Sequence, residues 1–297
     1  MRAAGPRVAT ALVAAGVVLA ALLWRPVGPV MAAGQQFVAR TEVVEVYATV
    51  TDEDGRLLTH LTMEDFEVRE DGVLQQLTSF TAGDVPVSLA LAFDRSFSMA
   101  GEPLAAAQVA TRVLLNELTE RDRVALFAIS SQVDVVVPLT NNRFEVDQAV
   151  YGLDPWGSTA LHDAVVKALD AIEPAPGRRA LVLVSDGVER FSTRSLEDVY
   201  ARVRKSDVMI YPVALARRSP PVFEQLAALS GGRATATRRP ATELPRILRR
   251  FATELRHQYL LGYTPSTRGQ PGYKAIEVRV REPGAVVRAR AGYTVPE

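Results

Sequence analysis

Cysteine is absent from this 297-residue chain, and that omission removes disulfides, thiol nucleophiles and zinc–thiolate sites from consideration. Exported chains commonly avoid stray thiols, so the absence fits an exported protein without requiring one. Histidine is scarce. Only His60, His162 and His257 occur, which leaves few candidates for acid–base catalysis at neutral pH. Net charge is lacking too: 34 basic residues balance 34 acidic ones, so no overall field draws in nucleic acid or an anionic membrane. Nucleic acid is therefore not an expected partner. Neither a Gly-x-Ser-x-Gly elbow nor a phosphate-binding glycine loop is present, which leaves nucleophilic catalysis and nucleotide binding without their usual marks.

What is present begins at the N-terminus. Arg2 and Arg7 precede an apolar run from Val8 to Trp24, followed by Arg25, Pro26 and the small residues Ala32, Ala33 and Gly34. A basic head, a short apolar segment and a small-residue exit are the parts of a secretory signal, and Val30-Met31-Ala32 suits a signal peptidase. The run of about 17 residues is at the short limit for spanning ~30 Å of hydrocarbon. Residues 1–34 are read as a signal peptide, with a retained N-terminal anchor as the alternative. Either way the remainder is delivered outside the cytoplasm, secreted or in the periplasm or cell envelope. Membrane contact is expected only through this segment, if it is not cleaved.

Residues 35–84 have strand character. Val44, Val46, Ala48 and Val50 alternate, Thr51 to Gly55 is turn chemistry, and Phe66 to Glu70, Asp71-Gly72 and Val73 onward predict a hairpin. The acidic clusters lack the oxygen spacing of a twelve-residue calcium loop and are read as turns. From residue 85 the pattern changes. Apolar strands at Val87–Phe93, Arg123–Ile129, Asp134–Leu139, Ala180–Val184 and Val208–Leu215 alternate with helices at Leu104–Leu118, Thr159–Ile172, Ser195–Arg204, Phe223–Leu229 and Leu244–Leu255. Such alternation predicts a doubly wound, mostly parallel sheet covered by helices on both faces over residues 85–256. Arginines at 238, 239, 246, 249, 250 and 256 are read as the solvated face of the last helix, whose Leu244, Ile247, Leu248, Phe251 and Leu255 recur at helical spacing. Residues 257–297 return to strands at Tyr259–Tyr263, Ile276–Val280 and Val286–Arg290. Each flank alone has too few strands to bury a face, so the expectation is one small β-sandwich with the α/β block inserted into it.

Open α/β sheets bind ligands beyond the carboxyl ends of their strands. Asp94 stands at one such end, with Ser96 and Ser98 after it; Asp186 stands at another, and Thr159 at the start of a helix. Each has a plain reading, Ser96, Ser98 and Thr159 as helix caps and Asp186 as a strand-to-turn residue. Together they are two carboxylates and three hydroxyls, an all-oxygen set that suits a hard divalent cation such as Mg²⁺. One metal position would stay open to an external group, naturally a carboxylate from a partner.

Asp94-Arg95-Ser96-Phe97-Ser98 resembles the D-x-S-x-S signature of von Willebrand factor type A domains. Gly157-Ser158-Thr159-Ala160-Leu161 resembles their G-x-T-A-L loop, and Ser185-Asp186-Gly187 their third metal-site loop. The resemblance implies a doubly wound α/β fold with a metal-ion-dependent adhesion site for Mg²⁺ or Mn²⁺ that recognises proteins. It implies that Ser96, Ser98 and Thr159 ligate directly or nearly so, and that Asp94 and Asp186 coordinate directly or through water. The chain departs from the pattern at Phe97, where many relatives carry glycine, so the shape of that loop is in question. Val50-Thr51-Asp52, Leu61 to Phe66, Tyr259 to Tyr263 and Arg290 to Tyr293 are similar to the flanks of an exported bacterial group of such proteins.

The expected function is a non-enzymatic, metal-dependent protein-binding module. Two other readings remain open: a metal-dependent hydrolase in which His162, one turn beyond Thr159, serves as the base, and an architectural envelope protein whose metal is purely structural.

Overall fold

The computed structural model describes residues 43–83, 85–266 and 270–296. The segment read as a signal or anchor, residues 1–34, lies outside the described residues. No helix among the described residues is long and apolar enough to cross a membrane.

The chain enters through β1 (Val44–Thr51), a hairpin of β2 (Phe66–Glu70) and β3 (Val73–Gln75), and β4 (Leu77–Thr81). Asp71 and Gly72 both have positive φ, 48° and 80°, the geometry of the two-residue turn that the Asp-Gly pair predicts. The α/β block follows: β5 (Val87–Asp94), α1 (Glu102–Glu117), β6 (Arg123–Ile129), β7 (Val133–Thr140), α2 (Arg143–Tyr151), α3 (Leu161–Ile172), β8 (Arg178–Ser185) and α4 (Leu196–Arg204). It ends with β9 (Met209–Ala214), α5 (Pro221–Ser230), β10 (Thr235–Ala236) and α6 (Pro240–Arg256). The chain closes with β11 (Tyr259–Tyr263), β12 (Gly272–Val280), β13 (Val286–Ala289) and β14 (Gly292–Val295).

The central sheet has the order β10-β9-β8-β5-β6-β7 and is parallel except for β7. Every residue of β5 and β9 is buried, which is why their sequences are continuous apolar runs rather than alternating ones. Helices α1, α2 and α6 cover one face and α3, α4 and α5 the other. This is the α/β architecture expected from the sequence. Two four-stranded antiparallel sheets accompany it, β13-β1-β11-β4 and β14-β12-β2-β3. Both draw strands from each side of the block, and Val46, Val68, Tyr259, Leu261 and Ile276 from the two sheets share one core.

Several boundaries differ from the sequence reading. α2 was not anticipated: it buries only Val146 and Val150, too little apolar repetition for a helical signal. α6 starts at Pro240 rather than Leu244 and carries Pro245 inside its first turns; a proline at the first helical position is tolerated because its missing N–H has no helical acceptor. Thr159 does not cap α3. The N-cap is Ala160, and Thr159 stands one residue earlier in the loop. Arg256 also leaves the solvated stripe, its Nη2 donating to the Glu117 carbonyl at 2.9 Å and to Asp122 Oδ2 at 3.2 Å.

Asp122 anchors the turn between α1 and β6. Its carboxylate accepts from the Val87 amide at 2.8 Å and from the Thr119 amide and hydroxyl at 2.6 and 2.9 Å. Burial pushes this carboxyl up, but those hydrogen bonds and Arg256 outweigh it and hold it below the ordinary aspartate value. The depressed group contributes stability above the unfolded pKa of about 3.9, lost as pH falls through the folded value. Asp122→Asn is expected to cost about 2–3 kcal/mol at pH 7. Urea unfolding at pH 7 and again near pH 3 checks this: the gap from wild type should narrow at the lower pH.

Candidate metal centre

In the central sheet the chain runs from β5 outward to β6, and later from β8 outward to β9 on the other side. The β5/β8 boundary is therefore the point where strand order reverses, and the carboxyl ends of these two strands flank a natural ligand crevice. Asp94 is the last residue of β5, and Ser185 the last of β8.

Asp94 is fully buried. Its Oδ1 accepts from the Ser96 amide at 2.8 Å; its Oδ2 accepts from the Ser185 hydroxyl at 2.6 Å and, at a long 3.5 Å, from the Thr159 hydroxyl. The Ser96 and Ser98 hydroxyls lie 3.1 Å apart. Four of the five anticipated residues thus form one hydrogen-bonded group. Asp186, next after Ser185, accepts the Val188 amide at 3.0 Å and joins the group through charge rather than a hydrogen bond. Burial raises the Asp94 carboxyl above its ordinary value; the hydrogen bonds from Ser185 and Ser96 oppose this, and the charge of Asp186 adds to it.

No basic side chain among the described residues pairs with Asp94. A buried carboxylate with a second carboxylate nearby and no counter-cation is costly, and a divalent cation would supply the missing charge. No group of three or more His, Cys, Asp or Glu side chains gathers among the described residues. A bound ion would therefore rest on hydroxyls, the two carboxylates and water, a set that fits a hard cation. Asp94, Ser96, Ser98, Thr159 and Asp186 are the residues that would hold it.

The loops carrying these residues are tied together by backbone contacts. The Arg95 carbonyl accepts the Trp156 amide at 2.7 Å, the Gly157 carbonyl accepts the Phe97 amide at 3.2 Å, and the Ala160 amide donates to the Ser130 carbonyl at 2.8 Å. Gly157 has φ +71°, and a Cβ there would meet Ser131 Oγ at 2.8 Å, so this turn requires glycine. The Thr159 carbonyl accepts the amides of Arg190 and Phe191, both at 3.0 Å.

The departure at Phe97 is resolved locally. Residues Phe97–Met99 form a single 3₁₀ turn that buries Met99 and leaves Phe97 68% exposed. Phe191 is 59% exposed, and Trp156 and Val188 are also exposed, so apolar side chains stand on all three loops of the rim.

Two contributors were not singled out in sequence. Ser185 was noted only as part of a motif. Glu189 accepts the His162 amide at 2.9 Å, the Phe191 and Ser192 amides at 2.7 Å each, and the Ser192 hydroxyl at 2.8 Å. Burial raises its carboxyl, but those bonds outweigh it and keep it low, so an ionised Glu189 fastens the third loop to the start of α3. Nothing in its spacing marks this. His162 has its ring Nδ1 3.1 Å from the Arg194 carbonyl, a structural contact.

Residues 89–189 match the family model for the von Willebrand factor type A domain. A von Willebrand factor type A protein from Catenulispora acidiphila has a similar fold: 15% identity, TM-score 0.54, covering 88% of this chain and 76% of that one. Proximal thread matrix protein 1 of the mussel byssus, in a form with a zinc-occupied MIDAS motif, is also similar: 14% identity, TM-score 0.50, 63% of this chain and 49% of that one. No protein of curated function matches in sequence. At such identities the structural likenesses speak to fold alone. With the family match and the topology in agreement, residues 89–189 form a von Willebrand factor type A domain, a class that generally mediates protein interactions.

Proposed function

We propose that this chain is an extracytoplasmic, metal-dependent protein-binding module. Its site is of the metal-ion-dependent adhesion type, with Asp94, Ser96, Ser98, Thr159 and Asp186 holding Mg²⁺ or Mn²⁺. The observation that carries the reading is the fully buried Asp94 carboxyl at the switch point, held by the Ser96 amide and the Ser185 and Thr159 hydroxyls, with no basic partner among the described residues. Hydroxyls and carboxylates from one chain leave a coordination position for an outside oxygen, which an acidic side chain of a partner would fill. Under this reading residues 85–256 are the binding domain, residues 35–84 and 257–297 form the sandwich that carries it, and residues 1–34 direct export or anchor it. In this reading the chain works by binding rather than by catalysis, with only His60, His162 and His257 available as imidazoles for acid–base chemistry.

The experiment is capture from a native envelope extract with the full chain as bait, in Mg²⁺ or Mn²⁺ against chelator. A partner retained only with metal supports the reading; retention indifferent to metal, or none, refutes it. The exposed rim adds an expectation. Phe97→Ala removes apolar surface next to the metal without touching a ligand, so partner affinity should fall roughly tenfold while the affinity for Mn²⁺, measured by calorimetry, stays at the wild-type value.

A further inference from the structure

A second charged site lies at the seam between α6 and the sandwich. Arg246, Arg249, Arg250 and Thr253 fall at helical spacing on one face of α6. They line a cavity of about 330 Å³, closed opposite by Gly55 and Leu57 from the turn after β1, with Arg233 entering from the segment between α5 and β10. Four arginines thus border one small space.

Few acids answer them. Glu254, in the same wall, lies 3.4 Å from Arg233 Nε, pairs with Arg288 of β13 and accepts the Tyr211 hydroxyl at 2.9 Å. Arg249 pairs with Glu117 at 2.9 Å. In the facing turn Asp52 and Asp54 both pair with Arg56, and the Glu53 carboxylate lies towards Gly284. Neither Arg246 nor Arg250 forms an ion pair among the described residues. The Arg233 guanidinium is pulled below its ordinary value by burial first, then by Arg288 and Arg250, with Glu254 offsetting only part. Like charges gathered this way favour an anion.

We propose that this cavity binds a small molecule with a phosphate or carboxylate head on an apolar body. Guanidinium forks grip such oxyanions two bonds at a time, which a single ammonium cannot do. Leu57 and the aliphatic stems of the arginines supply the apolar wall. The volume exceeds that of a bare phosphate and falls in the range of small-molecule pockets, about 300–1,000 Å³. The site is separate from the candidate metal centre, since none of its lining residues belongs to the three rim loops.

Calorimetric titration of the full chain in chelator-treated buffer tests this, with phenyl phosphate, inorganic phosphate and chloride at matched ionic strength. Phenyl phosphate should bind saturably and more tightly than phosphate. Both affinities should fall at least tenfold in the paired variant Arg246→Gln/Arg250→Gln, whose side chains are exposed and whose fold is checked by circular dichroism, and should persist in Asp94→Ala. Binding no better than chloride, or undiminished in the paired variant, overturns the proposal.

Discussion

Replacing Arg178 with methionine is expected to lower the unfolding free energy by about 3–5 kcal/mol and the melting temperature by roughly 10 °C. Arg178 is the first residue of β8 and is completely buried. Its Nη1 donates to the carbonyls of Gly83, Leu255 and Arg256 at 3.0, 2.9 and 3.2 Å, and its Nη2 to that of Gln258 at 2.5 Å. Gly83 lies where the chain enters the α/β block; residues 255 to 258 are where it leaves, at the end of α6. The last carbonyls of a helix have no helical donors and form its negative pole, so a buried cation there satisfies both hydrogen bonding and charge. Methionine has similar length and no donor, leaving several buried acceptors unanswered. Lysine should recover part of the loss. Urea unfolding and calorimetry decide the matter, and a methionine variant melting within 2 °C of wild type would sink it.

Asp94→Asn has the second large effect, and its sign depends on metal. In chelator, the variant should be at least as stable as wild type. The amide keeps an acceptor for the Ser96 amide, and the Ser185 and Thr159 hydroxyls can turn to accept from its NH₂, while the cost of an unpaired buried charge disappears. In Mg²⁺ or Mn²⁺ at about 100 times Kd, wild type should gain about 2.7 kcal/mol, and the variant almost none. The two melting curves therefore cross over on adding metal. A wild type insensitive to both ions, or a variant that gains as much, removes the metal reading and with it the proposed binding mode.

The parts of this fold legible in sequence were those whose physics is local. β5 and β8 announce themselves because burial on both faces demands uninterrupted apolar runs, and the β2–β3 turn because Asp-Gly adopts paired positive φ cheaply. Asp94, Ser96, Ser98, Thr159 and Asp186 were legible as candidates because a strand end followed by oxygen-bearing side chains is itself a local pattern. Glu189 and Arg178 were not. Arg179, beside Arg178 in sequence, is only half-buried and reaches Asp207. Which of two adjacent arginines goes inside is settled by carbonyls arriving from residues 83 and 255–258. The arginines of α6 fall between these cases. Their helical face was readable, but the cavity they line depends on the turn at Gly55, contributed by chain nearly two hundred residues earlier.

The interleaving of the flanking strands bears on how the chain reaches this state. Among the described strands β1 pairs with β11 and β13, so an N-terminal strand must wait for the last part of the chain to emerge before either edge is covered. Closing so long a loop first is entropically unfavourable and slow. If the α/β block folds first, it brings residue 83 and residue 258 to the same guanidinium, and the remaining closure becomes a short one. Until then the uncovered edges of β1 are open to other chains. A chain built this way is at most risk of aggregation in the interval before its C-terminal strands have docked.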